Sequence, residues 1–495
     1  MHRRGGGILA LALAAVSLAV SAALPAGAAA QTPLQATVST ATIGQPMAPG
    51  FVGLSLEYSA LHVYTGRDPL QVNPVFEALV QNLAPGQAPE LRIGGASADA
   101  TWWPIRGLLP PAGVDYRLTP GWLRTTRALA AAVGARLILG VNLAAGRPAL
   151  AAAEARAFVH GIGRPYIQAL EIGNEPDIYN LIPWYTDKRG RTFFSRAGNY
   201  NFARYLAEFA RFRAALPPSP LAGPASAGLT WLAGLSQLLA TEPALRIVTV
   251  HRYPLRACVT NPSQAGFPSI PSLLADQASS GLAQGVAPYV AIAHARGVPL
   301  RVAEMNSASC SGRKGVSDTF ASALWALDTL FDLASVGVDG VNFHSLPGAA
   351  YELFTFTRLF GHSLAFVHPE YYGLMMFAQA FPPGAQLLQT TAPGGPVKVW
   401  ATHASDGHTR VVLINKDPAA PHEVAASVPG ATAATLDWLT APSAAATTGV
   451  TLGGQTFGSE THTGLLGPPQ TAPIAAVAGA YTVNLPPASA VMLTQ

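Results

Sequence analysis

Eight short apolar runs separated by helix-like stretches constrain the fold of this chain more than any other feature. In order they read "FVGLSLEYS" (51–59), "PELRIGGAS" (89–97), "RLILGVNL" (136–143), "YIQALEIGNEPD" (166–177), "SPLAGPASAG" (219–228), "RIVTVHRYP" (246–254), "PLRVAEMNS" (299–307) and "VDGVNFHS" (338–345). Segments such as "GWLRTTRALAAAVG", "NFARYLAEFARFRAAL" and "SDTFASALWALDTLFDLASVG" lie between them, with apolar residues at helical spacing. A parallel strand needs a crossover to reach its neighbour, and eight strand–helix alternations are what a closed ring requires. The expected fold is therefore α/β, a (β/α)8 TIM barrel over residues 49–380. An open doubly wound sheet is the alternative, but no Gly-rich dinucleotide fingerprint follows the first run.

The texture changes after residue 385, where short alternating runs are broken by Gly, Pro, Asn and Asp with no helical period. Residues 381–495 are read as a C-terminal all-β sandwich domain. The segment "LQATVSTAT" from residue 34 alternates in the same way, so residues 31–48 are expected to supply an N-terminal strand to that domain. A chain of 495 residues, 49% hydrophobic and 11% charged, is long and apolar enough for one large core and a smaller one.

Residues 1–30 have the three parts of a secretory signal peptide: Arg3 and Arg4, an apolar run, and small residues with Ala28 and Ala30 placed for cleavage before Gln31. The expected location is secreted or periplasmic. A retained membrane anchor is the rival, but the run is Ala-rich and ends in the helix-breaking "LPAG"; no cysteine follows to carry a lipid. No later apolar span is long enough to cross a bilayer, so no membrane contact is expected once the leader is gone. The formal net charge is +4, about +2 without the leader, and no basic block with interleaved aromatics appears, which argues against a nucleic-acid partner.

In a barrel of this kind the functional side chains stand where strands end. That rule selects Glu57, Arg92, Asn142, Asn174 with Glu175, His251 with Tyr253, Glu304 with Asn306, and Asn342 with His344. Glu175 and Glu304 end the fourth and seventh runs, nearly opposite each other around the ring. Glycoside cleavage needs such a pair, one carboxyl to protonate the leaving oxygen and one carboxylate to meet the oxocarbenium-like carbon. Glu171 reads as a residue within its strand, and Asp177 as a cap for the turn after Pro176.

Six stretches in order, "LRIGGASAD", "EIGNEPD", "VHRYP", "AEMNSASC", "GVSDTFASALWALD" and "GVDGVNFH", resemble glycoside hydrolase family 79, the β-glucuronidase and heparanase family among the clan A retaining glycosidases. The resemblance covers about residues 50–380, and the family's C-terminal β domain covers most of the remainder. It implies Glu175 as acid/base and Glu304 as nucleophile, Asn174 on the sugar 2-hydroxyl, and Tyr253 orienting Glu304. Tyr351 falls where the family places a tyrosine that contacts the uronate carboxylate. Family members carry Tyr-Gly-Gly in the loop after the seventh strand, whereas this chain has Ser309, Cys310 and Ser311.

A uronic acid wants hydrogen-bond donors around its carboxylate, and Ser309, Ser311, Gly312, Arg313 and Lys314 lie in that loop to offer them. His251, Glu57, Arg92 and Asn306 join them as candidate substrate contacts. Cys258 and Cys310 follow the sixth and seventh strands, so their loops are neighbours on the rim, and in an exported protein they are expected to form a disulfide. No metal site is expected, because no histidine pair at i and i+4 flanks a Glu; no cofactor is expected either, and no Gly-x-Ser-x-Gly elbow is present. The expected partner is a carbohydrate, and the expected activity is retaining cleavage of terminal β-glucuronosyl residues. An endo-acting heparanase-like enzyme, a neutral-sugar β-glycosidase and a non-catalytic carbohydrate-binding barrel are the alternatives.

Overall fold

The computed structural model describes residues 32–359 and 362–495; the expected leader, residues 1–30, lies outside the described residues. The eight runs form β1 (Val52–Glu57), β2 (Glu90–Gly94), β3 (Arg136–Val141), β4 (Ile167–Ile172), β5 (Leu221–Ser226), β6 (Leu245–Arg252), β7 (Leu300–Met305) and β8 (Gly340–Ser345). Each pairs in parallel with the next, and β8 closes on β1. The strands are buried almost throughout because side chains fill the ring on one face and helices cover the other, which is why the runs are apolar rather than alternating.

The helices start and stop on local signals. Pro120–Val133 begins with the Thr119 hydroxyl accepting from the Trp122 amide at 3.1 Å and with Pro120 in its first turn. It ends at Gly134, whose φ of 68° is left-handed and suits a residue without Cβ. Such short caps return the chain to the ring so that all eight strand ends gather on one face.

Ten of the remaining strands, from the C-terminal region plus Leu34–Ile43, make one sheet. That N-terminal strand lies inside the sheet, antiparallel to Gln386–Thr391 and parallel to His422–Ser427. The sandwich expected from sequence is thus one hydrogen-bonded path that folds over itself: Ala480–Leu485, at one end, touches Thr409–Asn415 and Ser489–Thr494 from the other half. Alternation assigns the two faces. Val411, Leu413, Val491 and Leu493 enter the sheet's own core with Ala36, Val38, Val424 and Val483. Val412, Ile414, Ala490 and Met492 point the other way and join the core of the barrel. Among the described residues, no helix is long and apolar enough to cross a membrane.

Candidate active site

Glu304 stands near the end of β7 and Glu175 just past β4, and the ring brings them together across the mouth. One carboxylate oxygen of each, with one ring nitrogen of His251 from β6, lie within 4.8 Å of one another. Their exposures differ: the Glu175 side chain is 23% exposed and that of Glu304 is 9% exposed, so Glu175 faces the opening and Glu304 the floor. The same spacing would let the three side chains hold a cation; sequence spacing concealed this because they come from three strands.

Glu304 is held on both oxygens. Tyr253 donates its hydroxyl to Oε1 at 2.8 Å, and Arg92 donates Nη1 to Oε2 at 2.8 Å. His344 Nδ1 and His251 Nδ1 stand 3.7 and 3.9 Å from Oε2. Burial alone would raise the pKa of this carboxyl, but His344, His251, Arg92 and the Tyr253 hydrogen bond outweigh it and hold Glu304 well below the usual carboxylate range. Burial and the neighbouring Glu304 charge push the Tyr253 phenol well above its ordinary value, so it keeps its proton and remains a donor. Burial opposes a charge on His251, yet Glu304 and the hydrogen bond to Glu175 raise its pKa.

Glu175 is aimed by an uncommon backbone. Its φ of 52° is left-handed for a residue with a Cβ, and its amide donates to the Ala225 carbonyl of β5 at 2.8 Å. His251 Nδ1 lies 3.0 Å from its Oε1. The adjoining Asn174 accepts from Arg92 Nη2 at 2.8 Å, which fixes the oxygen of its amide and leaves the NH2 as the end available to a sugar.

Several candidates turn toward the protein itself. Arg92 is fully buried and spends its nitrogens on Glu171 (2.6 Å), Ser55 (3.0 Å), Glu304 and Asn174, so it braces the floor instead of touching substrate. Glu171 is its buried counter-ion, a role that "within the strand" did not disclose. Both oxygens of Glu57 accept backbone amides, from Ala96 at 3.0 Å and Ser97 at 2.7 Å. Asn306 is fully buried, donating to the His344 carbonyl at 2.9 Å and accepting from the Ser307 amide at 2.6 Å. Asp177 does not cap its own turn: its carboxylate reaches the Ala227 and Gly228 amides after β5, at 2.8 and 3.0 Å.

The rim after β6 and β7 is clamped. Leu255–Arg256 pairs with Ala308–Ser309, the Ala257 amide donates to the Ser309 carbonyl at 3.0 Å, and Cys258 is bonded to Cys310. Arg313 lies over the Phe267 ring at 4.5 Å. Cys310, Ser311 and Gly312 are consecutive left-handed residues, with φ of 60°, 64° and 71°. A Cβ at Gly312 would lie 2.9 Å from Cδ1 of Tyr351, so glycine is needed there for the approach as well as for the conformation. Tyr351 is buried, its ring centroid 6.2 Å from that of Tyr253 and 5.9 Å from that of His344.

Residues 399–492 match the model of the glycosyl hydrolase family 79 C-terminal beta domain. No curated protein matches the chain by sequence. Among solved structures, a 4-O-α-L-rhamnosyl-β-D-glucuronidase from Fusarium oxysporum shares the fold with a TM-score of 0.73 at 20% identity, over 93% of this chain and 100% of that one. A family 51 arabinofuranosidase from Xanthomonas axonopodis pv. citri aligns with a TM-score of 0.66 at 16% identity, over 93% and 99%. An α-L-arabinofuranosidase from Thermotoga petrophila gives 0.64 at 15%, over the same shares. Residues 399–492 thus match the C-terminal β domain of the same family, glycosyl hydrolase family 79, that the six barrel motifs resemble.

Proposed function

We propose that this protein is an exported retaining glycoside hydrolase that cleaves terminal β-glucuronosyl residues. The separation of the two glutamates carries the reading. Retaining enzymes hold their carboxyl groups roughly 5–5.5 Å apart, whereas inverting enzymes leave roughly 6.5–9.5 Å for a water. One oxygen of each carboxyl within 4.8 Å of the other puts the pair on the close side of that divide, which supports attack by Glu304 itself.

In the first half-reaction a Glu304 oxygen bonds to the anomeric carbon as the glycosidic bond breaks and the Glu175 proton passes to the departing oxygen. In the second, Glu175 takes a proton from water, the water oxygen bonds to the anomeric carbon and Glu304 leaves as carboxylate. Arg92 and Tyr253 keep Glu304 ionised and oriented for the first step and stabilise it as the leaving group in the second. The Asn174 amide NH2 faces the sugar 2-hydroxyl, a hydrogen bond that strengthens as the ring flattens.

The left-handed run at Cys310–Gly312 supports a uronate. Among the described residues neither the Ser311 nor the Gly312 amide has a hydrogen-bond partner in the protein, and Tyr351 packs against Gly312. Backbone amides grouped beside a phenol suit a carboxylate. The Fusarium structure of the same fold is named as a glucuronidase, which agrees with this choice.

The test is hydrolysis of aryl β-glucuronide, β-glucoside, β-galactoside and β-xyloside, with Glu304→Ala as control and NMR detection of the anomer first released. Glucuronide turnover giving the β-anomer, abolished by the substitution, is expected. First release of the α-anomer would overturn the retaining mechanism, and turnover of a neutral glycoside would overturn the uronate assignment. Binding without turnover on the whole panel would favour the carbohydrate-binding alternative.

A further inference from the structure

The backbone that aims Glu175 is held from an unexpected side. Asp99, in the short 3-10 turn Ala96–Ala100 after β2, is buried and unused by the chemistry described above. Its Oδ1 accepts the Leu143 and Ala144 amides, both at 3.1 Å, from the loop after β3. Its Oδ2 accepts the Tyr179 hydroxyl at 2.5 Å and the Asn174 amide at 3.3 Å. The Tyr179 oxygen itself lies 3.3 Å from the Asn174 nitrogen. One carboxylate therefore ties together the loops after β2, β3 and β4 and ends on the residue before Glu175.

The turn that presents Asp99 is itself fixed, since Glu57 accepts its first two amides and Asn142 donates to the Asp99 carbonyl at 2.8 Å. Tyr179 is clamped in turn by the Arg196 guanidinium, 5.4 Å over its ring. A left-handed, non-glycine residue such as Glu175 keeps its conformation only where its surroundings over-determine it. The Ala225 carbonyl holds its own amide, and Asp99 with Tyr179 holds the amide before it.

We propose that Asp99, acting through Tyr179 and the Asn174 amide, is the positioning residue that keeps Glu175 in its acid/base pose. This rests on the reading of Glu175 as acid/base. It predicts selective damage: steps that need proton transfer suffer, and attack by Glu304 does not.

The experiment uses the full chain with Tyr179→Phe and Asp99→Asn, and two aryl glycosides of the sugar the wild type accepts. A 2,4-dinitrophenyl glycoside loses its leaving group without protonation, and a phenyl glycoside needs the acid. For Tyr179→Phe, kcat/KM on the phenyl substrate is expected to fall about tenfold or more while that on the dinitrophenyl substrate holds within about twofold. Added azide, which needs no general base, should raise kcat on the dinitrophenyl substrate. Asp99→Asn, which loses carboxylate acceptors facing several donors, should show the same selectivity more strongly, with thermal melting run alongside to score folding. Equal losses on both substrates, with no azide effect, would overturn the proposal, since a merely structural role lowers both steps together. Should Asp99→Asn fail to fold, Tyr179→Phe decides alone. A wild type inert on all glycosides would instead overturn the glycosidase reading, and this inference with it.

Discussion

Tyr253 gives a single hydrogen bond to Glu304, and a hydrogen bond to a charged group contributes about 1.5–3 kcal/mol. Tyr253→Phe should therefore lower kcat about 10- to 100-fold with little change in KM, measured by steady-state kinetics on the aryl glucuronide. The charge on Glu304 also has a pH signature. Its folded pKa lies below the ordinary value of 4.5, so its contribution to stability is fully present above that pH and is lost as pH falls through the folded value. Urea unfolding at stepped pH should show the advantage of wild type over Glu304→Gln shrinking as pH falls below 4.5. The two glutamates were legible in the sequence because each sits at a strand end inside a motif. The direction of the other polar side chains was not: Glu57 and Asn306 stand at strand ends and Arg92 in the middle of β2, and each bonds to segments distant in sequence. Asp99 lay in a quoted motif and carried no sign of its role, since a buried acceptor of four donors looks like any other Asp in a string.

At the scale of elements, the eight strands could be read because strands covered on both faces become short uninterrupted apolar runs. The path of the β domain could not, since period-two alternation is the same whether two sheets face each other or one sheet folds over itself. Helix Phe320–Ser335 shows the cost of reading one element alone: it is apolar nearly all round because it is packed between barrel and sheet. Its first amides, Phe320 and Ala321, donate to the Ala446 and Ala444 carbonyls of the β domain, both at 2.8 Å, in place of a cap from Thr319, whose hydroxyl donates to the Val316 carbonyl at 2.8 Å instead. The clamp between the loops after β6 and β7 is an element-level device with a measurable worth. The Cys258–Cys310 bond closes a sequence separation of 52 residues, about 4 kcal/mol in the chain-entropy model. Melting with and without reductant should show a clear drop in the reduced protein, and a Cys258→Ser variant should match the reduced wild type.

Across the whole molecule, residues 33–495 form one compact unit, and polar as well as apolar contacts join its two parts. Lys416 of the sheet reaches Asp328 of the barrel helix at 2.8 Å with both side chains buried, and Trp400 donates to the same Asp at 3.0 Å. Phe331 stacks on Trp400 with centroids 5.4 Å apart. Lys416→Met would strand the Asp328 charge and should cost about 3–5 kcal/mol in denaturant unfolding, much of it recovered by the double substitution with Asp328→Leu. Both parts should still unfold in one transition. The placement of strand Leu34–Ile43 between Gln386–Thr391 and His422–Ser427 also orders events in time. On the ribosome its first partner emerges about 340 residues later, a wait of roughly 20–70 s at 5–20 residues per second. Throughout that interval an amphipathic strand has two open edges and no native neighbour. The first strand the chain makes is thus among the last to find its native neighbours.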